Sequence, residues 1–361
     1  MRKLNFENSG DFAVNVLHLH LSSESGRLLV IGYQENKNIL FKPEFPIPMI
    51  GSITGALNGR IRNYKNRANP LECLLNKVDP QFETTQGFNY RLSILLCQDG
   101  FSFLVTHVAS RKVLKLSSYK LDHAGMVPDS AGDWPQNGND YFEELKKVDY
   151  SLLSWQGIDI AIASQKITMA PHSFMQDGNA INIISAAYPV LPDDQILSEP
   201  VSNLGPVSTI LVPRYVPEFC DAIFPGSVLH NSAAVFVKGV LRTHSQLISR
   251  HVFINIHRGF FEITVTQGLR LLFLNAFRYS SPSDVLYYVI FVLEQLGFVS
   301  SEEKVTLMGD ITANSTIFLQ LKMYCGSVDF IAKPVELEYG EAFAEVEMHK
   351  YFTLLNIPLC E

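Results

Sequence analysis

The sequence predicts a mixed α/β protein of two lobes, each led by a three-strand meander and continued by a helix, a strand and a second helix. Three observations carry that prediction. In residues 252–278, VFINIHRGFFEITVTQGLRLLFLNAFR, three strand-like runs are separated at Gly259 and Gly268, residues that tolerate the positive φ of tight hairpin turns. Residues 91–121, RLSILLCQDGFSFLVTHVASRKVLKLSSYKL, repeat that layout, and their middle strand again opens on Gly-Phe, at Gly100 and Phe101. Helical and strand-like segments then follow both meanders in the same order, which indicates a duplicated unit and a sheet with parallel as well as antiparallel pairs.

Within the second meander, Phe261, Ile263 and Val265 alternate with Glu262, Thr264 and Thr266, the period of two expected of a strand with one buried face. After the first meander, residues 141–153 show helical spacing, with Asn139 as a cap, and strands are expected at 158–163 and 166–170. The proline- and acid-rich stretch 178–206 yields one expected strand, 180–187; another follows at 207–212. Helices are predicted over 215–223, where Pro217 suits a first turn, and over 231–249, capped by Asn231 or Ser232. Ser281-Pro282-Ser283-Asp284 is a strong helix start, and the helix 282–296 is apolar on every side through Val285 to Leu293, which predicts burial between layers. The remaining expectations are a strand at 304–308, a helix at 315–325, a strand at 328–331 and an amphipathic segment at 343–355 that returns across the first lobe.

Composition narrows the function classes. A chain of 361 residues that is 47% hydrophobic supports a large core, and its formal charge of −7 offers no global attraction to nucleic acid or anionic membrane. The five cysteines are scattered and never form CxxC, which favours a reducing compartment over a disulfide framework or a zinc site. There is no charged-then-apolar leader pattern, and the longest apolar run, nine residues, is far short of the roughly twenty a membrane helix needs. These features together predict a cytoplasmic protein.

Residues 1–82 read differently from the rest, as an extension with two expected strands (12–21 and 27–33), prolines at 43, 46 and 48, and a basic cluster of Arg60, Arg62, Lys65 and Arg67. Four charges without a recognisable module read as a solvated, loosely ordered segment rather than a nucleic-acid site. Domain boundaries are expected at 83–249 and 250–334 for the two lobes, with 335–361 packing back on the body.

The segments YRLSILLCQDGFSF, VFINIHRGFFEITV, LNAFRYSSPSDVLYYV, VTLMGDITANS and HKYFTLLNIPLCE resemble an uncharacterised bacterial family with the fold of the actin-like ATPases, the superfamily of sugar kinases, heat-shock chaperones and actin. The likeness covers residues 88–361. It implies a nucleotide cleft built from two hairpins, each with an Asp at the end of its first strand for Mg²⁺ or water, and a third, Gly-Gly turn beside the adenosine. On this alignment the degenerate cleft positions are Ser93, Asp99 and Gly100 in the first hairpin, Asn255 and Gly259 in the second, and Gly309 with Asp310 in the third turn. Ser93 and Asn255 supply no carboxylate, His257 and Arg258 stand where small residues belong, and Asp310 replaces a glycine. The resemblance therefore implies a pseudo-ATPase: no hydrolysis of ATP with Mg²⁺, and a scaffold or binding role toward a protein partner. The alternative is an ATP-hydrolysing relative or kinase whose acids come from elsewhere, such as Asp193, Asp194 or Asp310.

Other constellations are weaker. Asn255, His257 and Arg258 form either an anion site or an ordinary polar turn, and Asp99 is either a ligand or half of an Asp-Gly turn. His251 and His257 share a strand face but lack a third ligand, and neither GxxxxGK nor a strand-linked GxGxxG occurs.

Overall fold

The computed structural model describes residues 14–22, 27–34, 45–46, 71–121, 134, 138–148, 150, 154–175, 179–202, 205–244 and 249–360. The basic cluster Arg60–Arg67 lies outside the described residues, as does most of the loop after the first meander.

The first sheet is built on the meander β5 (Tyr90–Cys97), β6 (Gly100–His107) and β7 (Lys112–Leu121). Parallel strands β8 (Gly157–Ile162) and β12 (Val228–Asn231) extend it on the β5 side. The second sheet repeats this arrangement with β13 (Arg250–Ile256), β14 (Phe260–Gln267) and β15 (Arg270–Arg278), extended by parallel β16 (Lys304–Gly309) and β17 (Ser327–Phe330). Strand order β12-β8-β5-β6-β7 therefore matches β17-β16-β13-β14-β15, and the duplication read from the sequence is present in the topology. The architecture is the two-lobed actin-like fold.

Residues before the first meander join both sheets. The hairpin β1 (Val14–Ser22) and β2 (Arg27–Gln34) continues the second sheet through a parallel β1–β15 contact, with β3 (Phe45–Pro46) at its edge. Strand β4 (Leu71–Val78) lies antiparallel to β7 in the first sheet. The C-terminal segment returns to the first lobe: β18 (Glu338–Tyr339) pairs with β7, and a short helix, Phe352–Asn356, packs on β5 and β6.

Several elements differ from expectation. Residues 180–187 form a helix, α2 (Ala180–Ser185), rather than a strand. Ile183, Ile184 and Ala187 are buried while Ile181 is exposed, so helical spacing overrides the β-branched content. The acid-rich stretch supplies an unexpected strand, β10 (Asp194–Pro200), which joins β11 (Val207–Pro213) and β9 (Ile167–Ala170) in a separate three-stranded sheet. The helix predicted over 141–153 is shorter, α1 (Gly138–Lys147). By contrast α3 (Tyr215–Ile223) has the expected ends, and α4 (Ser232–Thr243) is capped by Asn231, whose side chain accepts from Ala233 N and Ala234 N.

The helix after the second meander, α5 (Pro282–Gln295), is half-buried rather than enclosed. Val285, Val289, Val292 and Leu293 are buried with the second sheet, whereas Tyr287 is 53% exposed. The apolar run gives the helix an aromatic outer face, with Tyr287 stacked on Phe291. Helix α6 (Thr316–Tyr324) packs beside it.

Strand β14 carries the clearest correction to the periodicity. Phe261, Ile263 and Val265 face α5 and α6 as expected, but Glu262, Thr264 and Thr266 are buried as well. Their face is covered by the layer between the lobes, where Phe253, Phe260 and Met308 share one core with Phe236 and Val237 of α4. A polar face in a two-sided layer must satisfy its hydrogen bonds internally.

Candidate functional site

The hairpin turns at the ends of β5–β6 and β13–β14 approach each other where the two lobes meet, but their glycines are not equivalent. Cys97 pairs with Gly100 across a turn of Gln98 and Asp99. In the second hairpin His257 N donates to Phe260 O across a turn of Arg258 and Gly259, with Gly259 at φ +84°. Matching strand ends sets Asp99 against Gly259 and Gly100 against Phe260, one residue away from the correspondence expected from Gly-Phe. Gly100 is required for a different reason: a Cβ there would lie 2.2 Å from Tyr119 O in β7. The same register makes Leu95, not Ser93, the counterpart of Asn255. Ser93 is fully buried within β5 and sits opposite Leu104 of β6 and Asp159 of β8.

Asn255 occupies the centre of a buried cluster. Its Nδ2 donates to Glu262 Oε2 (2.8 Å) and Thr353 Oγ1 (3.3 Å) and lies 3.0 Å from His257 Nε2. His257 Nε2 is in turn 3.1 Å from the same Glu262 oxygen. Register explains the meeting, since Asn255 and Glu262 are directly paired across β13 and β14. Glu262 is fully buried, and its Oε1 has no partner. The ring of His257 stacks on Phe260 at 4.4 Å.

The third turn closes over this cluster. Gly309 has φ +85°, and Asp310 N donates to Ile256 O at 2.8 Å. A Cβ on Gly309 would stand 2.1 Å from Ile256 O and 2.7 Å from Asn255 Oδ1, so the glycine is there for backbone packing. Asp310 is exposed, as is Arg258. Burial pushes the Asp99 carboxyl above its ordinary value against the pull of Arg258 and His257, and Asp310 adds to the upward shift. Tyr279, whose hydroxyl donates to His257 O, is pushed up by burial and by the same two acids. Asp99, Arg258 and Asp310 thus lie near enough to Tyr279 for their charges to act on it, and Tyr279 is bonded to His257, next to the buried floor cluster of Asn255, His257 and Glu262.

Of the acids named as substitutes, Asp310 is at the third turn, whereas Asp193 and Asp194 lie at the start of β10. Asp194 stands at the start of β10, its carboxylate accepting from Leu191 N, and Asp193 O accepts from Arg214 N in the adjoining turn. His251 shares none of the hydrogen-bond partners of His257. It bonds Thr306 Oγ1 at 2.7 Å and stacks on Phe253, and burial lowers its pKa to about 4. Among the described residues, no group of three or more His, Cys, Asp or Glu converges to hold a metal ion.

A second polar cluster, unforeseen from sequence, joins the first sheet to β10 and α4. Asp159 takes Arg91 Nε at 2.5 Å and His230 Nε2 at 3.4 Å, while Glu199 takes His230 Nδ1 at 3.2 Å and Lys238 Nζ at 2.5 Å. An imidazole held by carboxylates on both nitrogens must donate from both, so His230 is a cation here. Burial pulls its pKa down, yet bonds and charges from Asp159 and Glu199 outweigh that and push it to about 9. This cluster sets three cations, Arg91, His230 and Lys238, on two carboxylates, and so ties β5, β8 and β12 to β10 and α4.

The fold is the one shared by the actin-like ATPases. Among solved structures it is similar to a Bacteroides thetaiotaomicron protein with actin-like ATPase fold and unknown function, with a TM-score of 0.63 at 17% identity over 78% of this chain and 100% of the other. It is also similar to a chain of the PilM–PilN type IV pilus biogenesis complex, with a TM-score of 0.55 at 11% identity over 74% of this chain and 97% of the other. No curated protein sequence matches it. The chain belongs to the family described as protein of unknown function (DUF3822), whose profile matches residues 79–328. No helix among the described residues is long and apolar enough to cross a membrane.

Proposed function

We propose that this protein is a non-catalytic member of the actin-like fold, a pseudo-ATPase that acts in the cytoplasm as a binding or scaffold protein for a protein partner. The observation that carries the reading is the Asn255 amide. Where an active relative places a carboxylate for a hydrated cation, this chain places an NH₂ group that donates to the Glu262 carboxylate. The amide stands in for the cation, and the floor satisfies much of its own polarity. ATP with Mg²⁺ fits these residues poorly: no carboxylate occupies the Asn255 position, His257 fills the space of a small residue, and Asp310 presents a negative charge to any phosphate. The similarity to a chain from a pilus complex is in keeping with a protein partner, and it rests on fold alone.

Steady-state phosphate release, with nucleotide binding measured with and without Mg²⁺, tests the reading. The expected result is turnover at background and no Mg²⁺-dependent binding. One observation favours the alternative, an ATP-hydrolysing protein with displaced acids: the charges of Asp310 and Arg258 both reach the Asp99 carboxyl, one raising and one lowering its pKa. Turnover abolished by Asp99→Asn or Asp310→Asn would establish that alternative instead.

A further inference from the structure

The C-terminal segment is attached to the two lobes in different ways. Its hold on the first lobe is extensive and largely apolar. Leu354, Leu355 and Ile357 are buried in a cluster with Leu104, Val113 and Val235, and β18 adds main-chain pairing to β7. Asn356 is fully buried beneath Gly239, where a Cβ would come within 2.6 Å of the Asn356 side chain. Arg242 fixes the same stretch by donating to Asn356 Oδ1 at 2.9 Å and Leu359 O at 2.5 Å.

Among the described residues, its side-chain hydrogen bonds to the second lobe come from two residues, His349 and Thr353. His349 Nε2 donates to Ile311 O at 2.9 Å, just beyond the third turn, and the ring stacks on Phe330 at 4.0 Å. Thr353 Oγ1 accepts from Asn255, the centre of the floor cluster. Both contacts are buried, where a lost partner leaves a donor or acceptor unsatisfied.

We propose that residues 338–360 form a latch: a part of the first lobe that reaches across and holds the second lobe's cleft turns in place through His349 and Thr353. Releasing those two contacts leaves the segment seated on α4, β5 and β6 but frees the turn at Gly309 and the floor at Asn255 to move. The latch acts on the opening of the cleft whether or not ATP is turned over, so it stands independently of the pseudo-ATPase reading.

The test is hydrogen exchange on the full chain with Thr353→Val, which keeps shape, and with His349→Phe, which keeps the stack on Phe330. Peptides covering 253–262 and 306–312 should exchange about tenfold faster in the double variant, with Thr353→Val alone giving part of that change, while the amides of 352–357 stay protected. Faster exchange confined to 349–357, or unchanged exchange throughout, would overturn the latch and leave the segment as ordinary packing of the first lobe.

Discussion

Replacing Asn255 with Asp restores the acid that an active relative would carry, and it tests whether the floor can accept one. The change turns a 2.8 Å donor–acceptor contact with Glu262 into carboxylate against carboxylate. At an effective dielectric near 20, two charges that close repel by about 5–6 kcal/mol. Keeping one carboxyl protonated at pH 7, against an unfolded pKa near 4, costs only about 4 kcal/mol, so the pair takes up a proton instead. The folded variant then binds a proton that the unfolded chain has lost. Its stability deficit is small near pH 4 and grows by about 1.4 kcal/mol per pH unit, to a ceiling of about 4 kcal/mol at pH 7. Urea melts of parent and variant at pH 5, 6 and 7 measure that slope. Mn²⁺ or Mg²⁺ should raise the variant's midpoint and leave the parent's unchanged, because only the variant presents two carboxylates to a cation. A deficit below about 1 kcal/mol at pH 7 that does not vary with pH would refute the claim that the Asn255 amide is the hydrogen-bond donor that stabilises Glu262.

Gly309→Ala combines a left-handed backbone with a Cβ 2.1 Å from Ile256 O, and a thermal melt should register a loss of more than about 2 kcal/mol. Val289→Asp buries an unpaired charge in the second lobe and should cost about 3–5 kcal/mol, whereas Tyr287→Asp on the exposed face of α5 should cost under about 1 kcal/mol. His230, raised from 6.5 to about 9, lends stability that is complete below pH 6.5 and lost as pH rises through 9. The loss is on the order of 3 kcal/mol, and His230→Gln should flatten that alkaline limb in denaturant melts. His251, lowered from 6.5 to about 4, works in the opposite sense: the unfolded chain binds its proton first, so stability falls from pH 6.5 toward 4, and His251→Phe should flatten that acid limb.

What could be seen in the sequence was what local chemistry determines. The turn glycines Gly259 and Gly268, the Asn231 cap and the Ser281–Asp284 helix start each act over a few residues, and each lies where its pattern placed it. Duplication was legible for the same reason, because two copies of a local pattern reveal each other. The failures are long-range. Nothing in EITVT says that its polar face will be covered by α4, so Glu262 looked solvent-facing although it is the buried acid of the cleft. Thr353 lies 98 residues from Asn255, and no spacing rule connects them. The Gly-Phe repeat misled by one residue because Gly100 answers to the backbone of β7 and Gly259 to a turn. Strands β10 and β12 were missed because their partners, rather than their own residues, make them strands.

The core shared by the lobes makes each half depend on the other. Phe253, Phe260, Leu274 and Met308 from one repeat lie in the same apolar cluster as Phe101, Phe236 and Val237 from the other. Cut apart, each repeat would turn that surface to water, so neither half carries a complete core of its own. A change of side-chain volume on either side of that layer is therefore felt by both sheets, and the two hairpin turns above it are held in register by packing that belongs to neither lobe alone.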